Sequence, residues 1–233
     1  MTVISLPPLF SAQDAQCSDP FEIAITAASA GCDAGLVVYN LAADTLRAAI
    51  VFAPDVPLTE AVAMLPVCGV GFQNALGALG PPEVAVHLGW DGTIYINGGV
   101  CGALRMASAD PHEGMVDWLV IDLTLSLWPT NDDTGLTPDM TALYAEGCAE
   151  VSASDLLEAW VRHTLVGINN LADSGTKQLH RDWVGLAHGL DGEVTAAGQT
   201  GTFIGVDETM GLLLKIAGEA KLIPLTQTLT RSV

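Results

Sequence analysis

Lysine is missing from the first 176 residues of this 233-residue chain. Over that stretch only Arg47, Arg105 and Arg162 carry positive charge, against 21 acidic residues, and the net charge of the chain is −19. A surface of that sign repels nucleic acid and anionic membranes, which removes both from the expected partners. It repels phosphates too, except where a local pocket runs against the trend. Net charge bears on solubility rather than on fold. Cysteine is sparse and irregular: Cys17, Cys32, Cys68, Cys101 and Cys148 are an odd set without a CxxC pair. That argues against a disulfide framework and for reduced thiols in a cytoplasmic protein. No run of about 18 apolar residues lacks a polar break, which argues against a membrane span. No basic residue precedes the apolar part of "MTVISLPPLF", so a secretory signal is not expected. Internal repeats and low-complexity tracts are absent, and aromatics are few. Ala, Val and Leu dominate an apolar fraction of 50%, which allows a sizeable core in one large domain or one domain plus a small one.

Local signals then order the chain. "DPFEIAITAASAG" reads as a helix capped by Asp19, with Pro20 at its first position, Glu22 completing a capping box and Gly31 ending it. "GLVVYNL" and "LRAAIVFAP" read as a strand pair joined by "AADT". "PLTEAVAMLPVCGVGFQNALGALGPP" is helical by its apolar period, with a kink or restart expected at Pro66. "EVAVHL", "TIYI" and "VCGALRMA", joined by "DG" and "NGG", suggest an antiparallel meander. "MVDWLVIDLTLSLW" is apolar enough for a central strand. After the polar loop "NDDTGLTPD", Ser152 and Asp155 open another helix, with Leu157, Trp160, Val161, Thr164, Leu165, Ile168 and Leu171 on one face. "ADSGTKQ" reads as a linker, and the Gly- and Asp-punctuated tail as a small barrel of short strands. The layout is α+β with a largely antiparallel sheet.

This order resembles the biotin protein ligase and lipoate ligase family. The capped helix followed by "GLVVY" is similar to the family's opening helix and first strand. "GWDGTIYINGGVCGALRM" resembles the segment that begins K-W-P-N-D and runs through a hairpin to a small-Gly-Ile-hydrophobic strand. "WLVIDLTLS" sits where the family has an apolar strand ending in G-I-G-I-N, and the last helix and tail take the place of its final helix and SH3-like domain. The resemblance implies a core like that of class II aminoacyl-tRNA synthetases over residues 1–176 and a small SH3-like β-barrel domain over 177–233. It also implies a chemistry, in which ATP activates a carboxylic acid as an acyl-adenylate that passes to a lysine on a carrier domain. The implied partners are a small carboxylic acid, such as biotin, lipoate or octanoate, a biotinyl or lipoyl carrier domain, and a second copy of the chain. ATP and Mg²⁺ are implied as cofactors only if ligation survives.

The departures from the pattern are chemical. An anionic adenylate needs fixed cations and backbone N–H groups. The family's Gly- and Arg-rich loop would fall between the first two strands, where only "NLAADT" is present. Its lysine falls at Gly89, its acid is represented by Asp91, and the later asparagine falls at Ser126. Losing one oxyanion-type donor costs about 100- to 1000-fold in rate, and two elements are missing together. The expectation is therefore a ligase-like protein with degenerate catalysis, or a non-catalytic descendant that binds a small ligand or a partner protein. No catalytic residue and no metal ligand is assigned. Trp90, Gly98, Gly99, Gly102, Arg105 and Arg47 are the candidate ligand-binding residues: the tryptophan matches the family's, the glycines allow close approach to the backbone, and the two arginines can meet a carboxylate. A buried aromatic, turn glycines, a salt bridge and a turn cation are the alternative readings. Cys101 as a thioester nucleophile would need a nearby base or cation, with His112 the nearest histidine in sequence. Asp110, His112 and Glu113 are metal-capable but read as a solvated loop.

Overall fold

The computed structural model describes residues 4–129 and 137–230. A seven-stranded sheet forms from β1 (Ser11–Asp14), β2 (Leu36–Leu41), β3 (Thr45–Phe52), β4 (Val86–Leu88), β5 (Thr93–Ile96), β6 (Gly99–Ser108) and β7 (Leu119–Ser126). Their spatial order is β1-β2-β3-β7-β6-β5-β4. Only the β1–β2 pairing is parallel. β7 is central, as its apolar run requires, since both faces of a middle strand are covered. β1 has no sequence signal: all four of its residues are exposed.

The two faces carry different helices. α1 (Pro20–Ser29) is opened by the Asp19 side chain, which accepts from the Phe21 N–H, and packs on one face. No reciprocal bond from Glu22 completes the expected box. α2 (Leu58–Ala61), α3 (Met64–Leu79), α4 (Ala153–Ser174) and α5 (Thr176–Val184) cover the other face. The break between α2 and α3 precedes Pro66 by one turn, because a proline ring clashes with the carbonyl four residues back. The stretch Leu58–Leu79 is long and apolar enough to cross a bilayer, but most of it is buried inside this fold. Ser152 caps α4 by accepting from the Asp155 N–H at 3.1 Å. The Trp160 indole donates to the Cys68 carbonyl at 3.0 Å, which ties α4 to α3 without an orphaned polar atom.

Two stretches differ from expectation. "ADSGTKQ" is helical on both sides of Gly175 rather than a linker, and α5 extends over residues that read as the first tail strand. The amphipathic α5 buries Leu179 and Trp183, and such tertiary burial outweighs weak local signals. The polar loop 131–139 lies largely outside the described residues. The tail forms β8 (Glu193–Ala196), β9 (Gln199–Val206), β10 (Leu212–Ile216) and β11 (Glu219–Ile223), a four-stranded antiparallel sheet in the order β11-β10-β9-β8. This small β domain is tied back to the core. Leu88 bridges Ala187, and the Thr230 N–H donates to the Met106 carbonyl at 2.8 Å.

Candidate functional site

Along β3, β7 and β6 every second residue points to the α1 side. α1 is short, and its Phe21, Ala24 and Ala28 cover only Val38, Ala49, Val51, Ala107 and Val120. Strand register sets Ala49, Asp122 and Arg105 abreast in the next row. The row after that is Asn40, Arg47, Thr124, Ala103 and Thr93, one residue from each of five strands. All five are half-buried. Beyond the N-terminus of α1 the sheet therefore offers a polar band with both candidate arginines on it.

Each arginine holds an acid. Arg47 Nη2 lies 2.6 Å from Asp19 Oδ2, while Asp19 Oδ1 accepts from the Phe21 N–H at 2.9 Å, so one carboxylate both caps α1 and anchors a cation. Burial pulls the Asp19 carboxyl upward, but the Arg47 and Phe21 hydrogen bonds outweigh it and hold the group below the usual carboxylate range. Arg105 donates from Nε at 3.0 Å and from Nη2 at 2.7 Å to Asp122 Oδ2, and its guanidinium carbon stands 4.6 Å from the centre of the Phe21 ring. Asp122 is fully buried and its Oδ1 has no hydrogen-bond partner. Burial pushes its carboxyl above the usual range, and Arg105 offsets only part of that. The Arg105 side chain remains 42% exposed. A guanidinium has five N–H donors, and the two given to Asp122 leave three for other partners.

The remaining candidates do not join this group. Trp90 lies on the opposite side of the sheet, in the main core beside Leu65 and Pro66 of α3. Its indole donates to the Met210 carbonyl at 2.8 Å, and only about 10 Å³ of void is left around it. It fastens the C-terminal β domain to the core. Gly98, with φ +91°, makes the turn between β5 and β6. A Cβ at Gly99 would press on Thr141 at 3.0 Å, and one at Gly102 would run into the Thr124 carbonyl oxygen. These two glycines are filled against by the protein itself. The Gly89 position points toward Asp91, whose Oδ1 would lie 2.6 Å from an added Cβ and accepts the Thr93 N–H at 3.1 Å.

Cys101 is buried and its thiol is pushed up to about 12 by that burial. Burial of this kind disfavours the thiolate that a thioester role would need. Asp110, His112 and Glu113 sit in an exposed turn, and no metal-competent cluster of His, Cys, Asp or Glu occurs among the described residues. His180 Nε2 meets the Val206 carbonyl at 3.0 Å, and His188 stacks on Tyr95 at 3.6 Å between ring centres. Asp122 was missed by sequence reasoning. The available signal was a lone acid in the apolar "WLVIDLTLS" beside a lone arginine in the apolar "VCGALRMA". Opposite charges that each interrupt a neighbouring buried strand have reason to pair.

Comparison with known proteins bears on the family and the fold. The model of the biotin/lipoate A/B protein ligase family matches residues 6–185, and a model described as a domain of unknown function (DUF4444) matches residues 190–231. No curated protein matches the sequence. A crystal structure of a biotin protein ligase-like protein of unknown function from Silicibacter sp. TM1040 is 55% identical, with a TM-score of 0.92, over 98% of this chain and 100% of that one. A biotin protein ligase mutant from Aquifex aeolicus in complex with biotin is 13% identical, with a TM-score of 0.74, over 93% of this chain and 96% of that one. The Aquifex aeolicus enzyme in complex with biotin and ATP gives 13% and 0.71, over 91% and 95%. At that identity the likeness is one of fold.

Proposed function

Because the chain belongs to the biotin/lipoate A/B protein ligase family, we propose that it binds a small carboxylate with an acyl or ring-bearing body on the polar band beyond α1, and that it does so without activating the acid with ATP. The Arg105 guanidinium carries this reading. It is held in place by Asp122 and Phe21, partly exposed, and one row along the sheet from Arg47, which lies two strands away. A preorganised, partly desolvated arginine suits a planar carboxylate, which it can meet with paired N–H donors.

The residues present do not fit an ATP-derived phosphate. The connection between β2 and β3 is the tight turn Ala42–Ala43–Asp44, closed by Ala42 N–H donating to the Thr45 carbonyl at 3.0 Å. No glycine- or arginine-rich loop is available there to cradle an anion. Gly89 brings no charge, and the nearby Asp91 brings the wrong sign. Each arginine of the band already faces one carboxylate, so the four groups together add little positive potential. A single carboxylate can share Arg105, whereas a polyphosphate needs a net cationic cradle.

Isothermal titration with biotin, lipoate and octanoate in the absence of ATP tests this. At least one acid is expected to bind with one-to-one stoichiometry, and Arg105→Ala, scored on folded protein, should weaken it by about 10-fold or more, the loss of one charge-assisted contact of about 1.5–3 kcal/mol. Unchanged affinity in that variant would remove Arg105 from the site. Silence from all three acids would leave the second reading, a descendant that binds a partner protein.

A further inference from the structure

On the face of the sheet opposite this band, a cleft of about 870 Å³ opens between the C-terminal half of α4, the start of α3, the segment linking β3 to α2, and the β9–β10 turn. Its size falls within the range of small-molecule sites, about 300–1,000 Å³. Phe52, Met64, Leu165, Ile168 and Leu171 form an apolar wall, and all five are only half-buried. Ile168 and Leu171 continue the core-facing stripe of α4 past the point where the core can cover it.

The charges around this wall have one sign. Asp55, Glu60 and Glu208 line the cleft and are exposed, and none makes an ion pair among the described residues. Among the described residues no Lys, Arg or His contributes to the lining. Gly175, where α4 ends and α5 begins, also lines it, so two helix ends of opposite dipole sign meet there and the three carboxylates set the sign of the cleft. Glu208 is free to act because the neighbouring Asp207 is the residue that closes the β9–β10 turn, accepting from Thr209 and Gly211.

We propose that this cleft is a second binding site, for a small lipophilic amine whose apolar body lies on the α3–α4 wall and whose ammonium group sits among Asp55, Glu60 and Glu208. It does not rest on the carboxylate reading of the polar band, because the two sites share no residue and favour ligands of opposite charge.

A matched series tests the proposal: phenylbutylamine, phenylbutanol and phenylbutyrate, titrated calorimetrically into the full chain. The amine is expected to bind one-to-one, roughly five- to ten-fold tighter than the alcohol at low salt, as a few partly exposed charge contacts allow. The butyrate should bind most weakly at this site. The margin of amine over alcohol should shrink to about two-fold or less in about 1 M NaCl, where screening is nearly complete. Glu60→Gln combined with Glu208→Gln should remove most of that margin and leave the alcohol unchanged. Ile168→Trp, which fills the wall, should weaken amine and alcohol alike by about 10-fold. The glutamine pair lies on the exposed surface, so it decides the matter even if the tryptophan variant fails to fold. Equal binding of amine and alcohol at low salt, an amine affinity untouched by the glutamine pair, or no heat from either would overturn the proposal.

Discussion

Replacing Arg105 with alanine should destabilise the protein through an atom that the substitution does not touch. Asp122 is fully buried, and Arg105 is its only ion-pair partner among the described residues. Removing one partner of a buried pair costs about 3–5 kcal/mol. Arg105 itself is 42% exposed, so water can enter the vacated space, and a penalty of about 2–3 kcal/mol is the better expectation. For a chain of this size that is a fall of roughly 5–10 °C in Tm. The penalty should also depend on pH. The Asp122 carboxyl already stands above the usual carboxylate range in the folded state. Between the usual and the raised value the folded protein binds more protons than the unfolded chain, so stability falls as pH rises through that window. Removing Arg105 lifts the folded value further and extends the window upward. Urea unfolding should therefore show a larger penalty at about pH 8 than at about pH 5, read as a midpoint change at constant slope. Asp122→Asn in the Arg105→Ala background should recover at least half of the loss at the higher pH. A penalty below about 1 kcal/mol that is the same at both pH values, with no recovery in the double variant, would refute the reasoning.

Three further outcomes follow from the packing. Trp90→Phe should cost about 1–3 kcal/mol, because the buried Met210 carbonyl loses its donor, and thermal unfolding should show the C-terminal β domain loosening with it. Gly102→Ala should lower stability by about 1–3 kcal/mol or more, since the new methyl group would collide with the Thr124 carbonyl oxygen; an unchanged midpoint in denaturant would contradict the strand packing described. Iodoacetamide at about pH 8 should alkylate the exposed Cys17 in native protein and spare Cys101, which is buried with a thiol pushed up to about 12, and peptide mass spectrometry would reveal any modification of Cys101.

The sheet was legible in the sequence because its strands carry their own signals. "GLVVYNL", "LRAAIVFAP" and "WLVIDLTLS" are apolar runs with turn residues between them, and the structure pairs them as neighbours. β1 was not legible, since "SAQD" is polar and exposed and gains its strand geometry only by lying against β2. α5 was hidden by Gly175 and by a polar first turn, and its helical form depends on burying Leu179 and Trp183. At the site, sequence alone identified Arg47 and Arg105 as unusual charges but not their acids. Asp19 read as a helix cap and Asp122 as a blemish in a strand, because strand register, which sets Arg105 opposite Asp122, is a long-range property. Trp90 illustrates the converse. Its match to a familiar hairpin said nothing of which side of the sheet it would take, and that side is decided by the Met210 carbonyl and the wall of α3.

We propose that the band beyond α1 recognises an acid without activating it. The most direct measurement is the intact mass of a biotinyl or lipoyl carrier domain after incubation with this protein, ATP, Mg²⁺ and biotin, lipoate or octanoate in turn. No mass gain is expected with any of the three, since the β2–β3 turn and Gly89 supply nothing to hold the adenylate phosphate. A carrier domain heavier by one acyl group would contradict it.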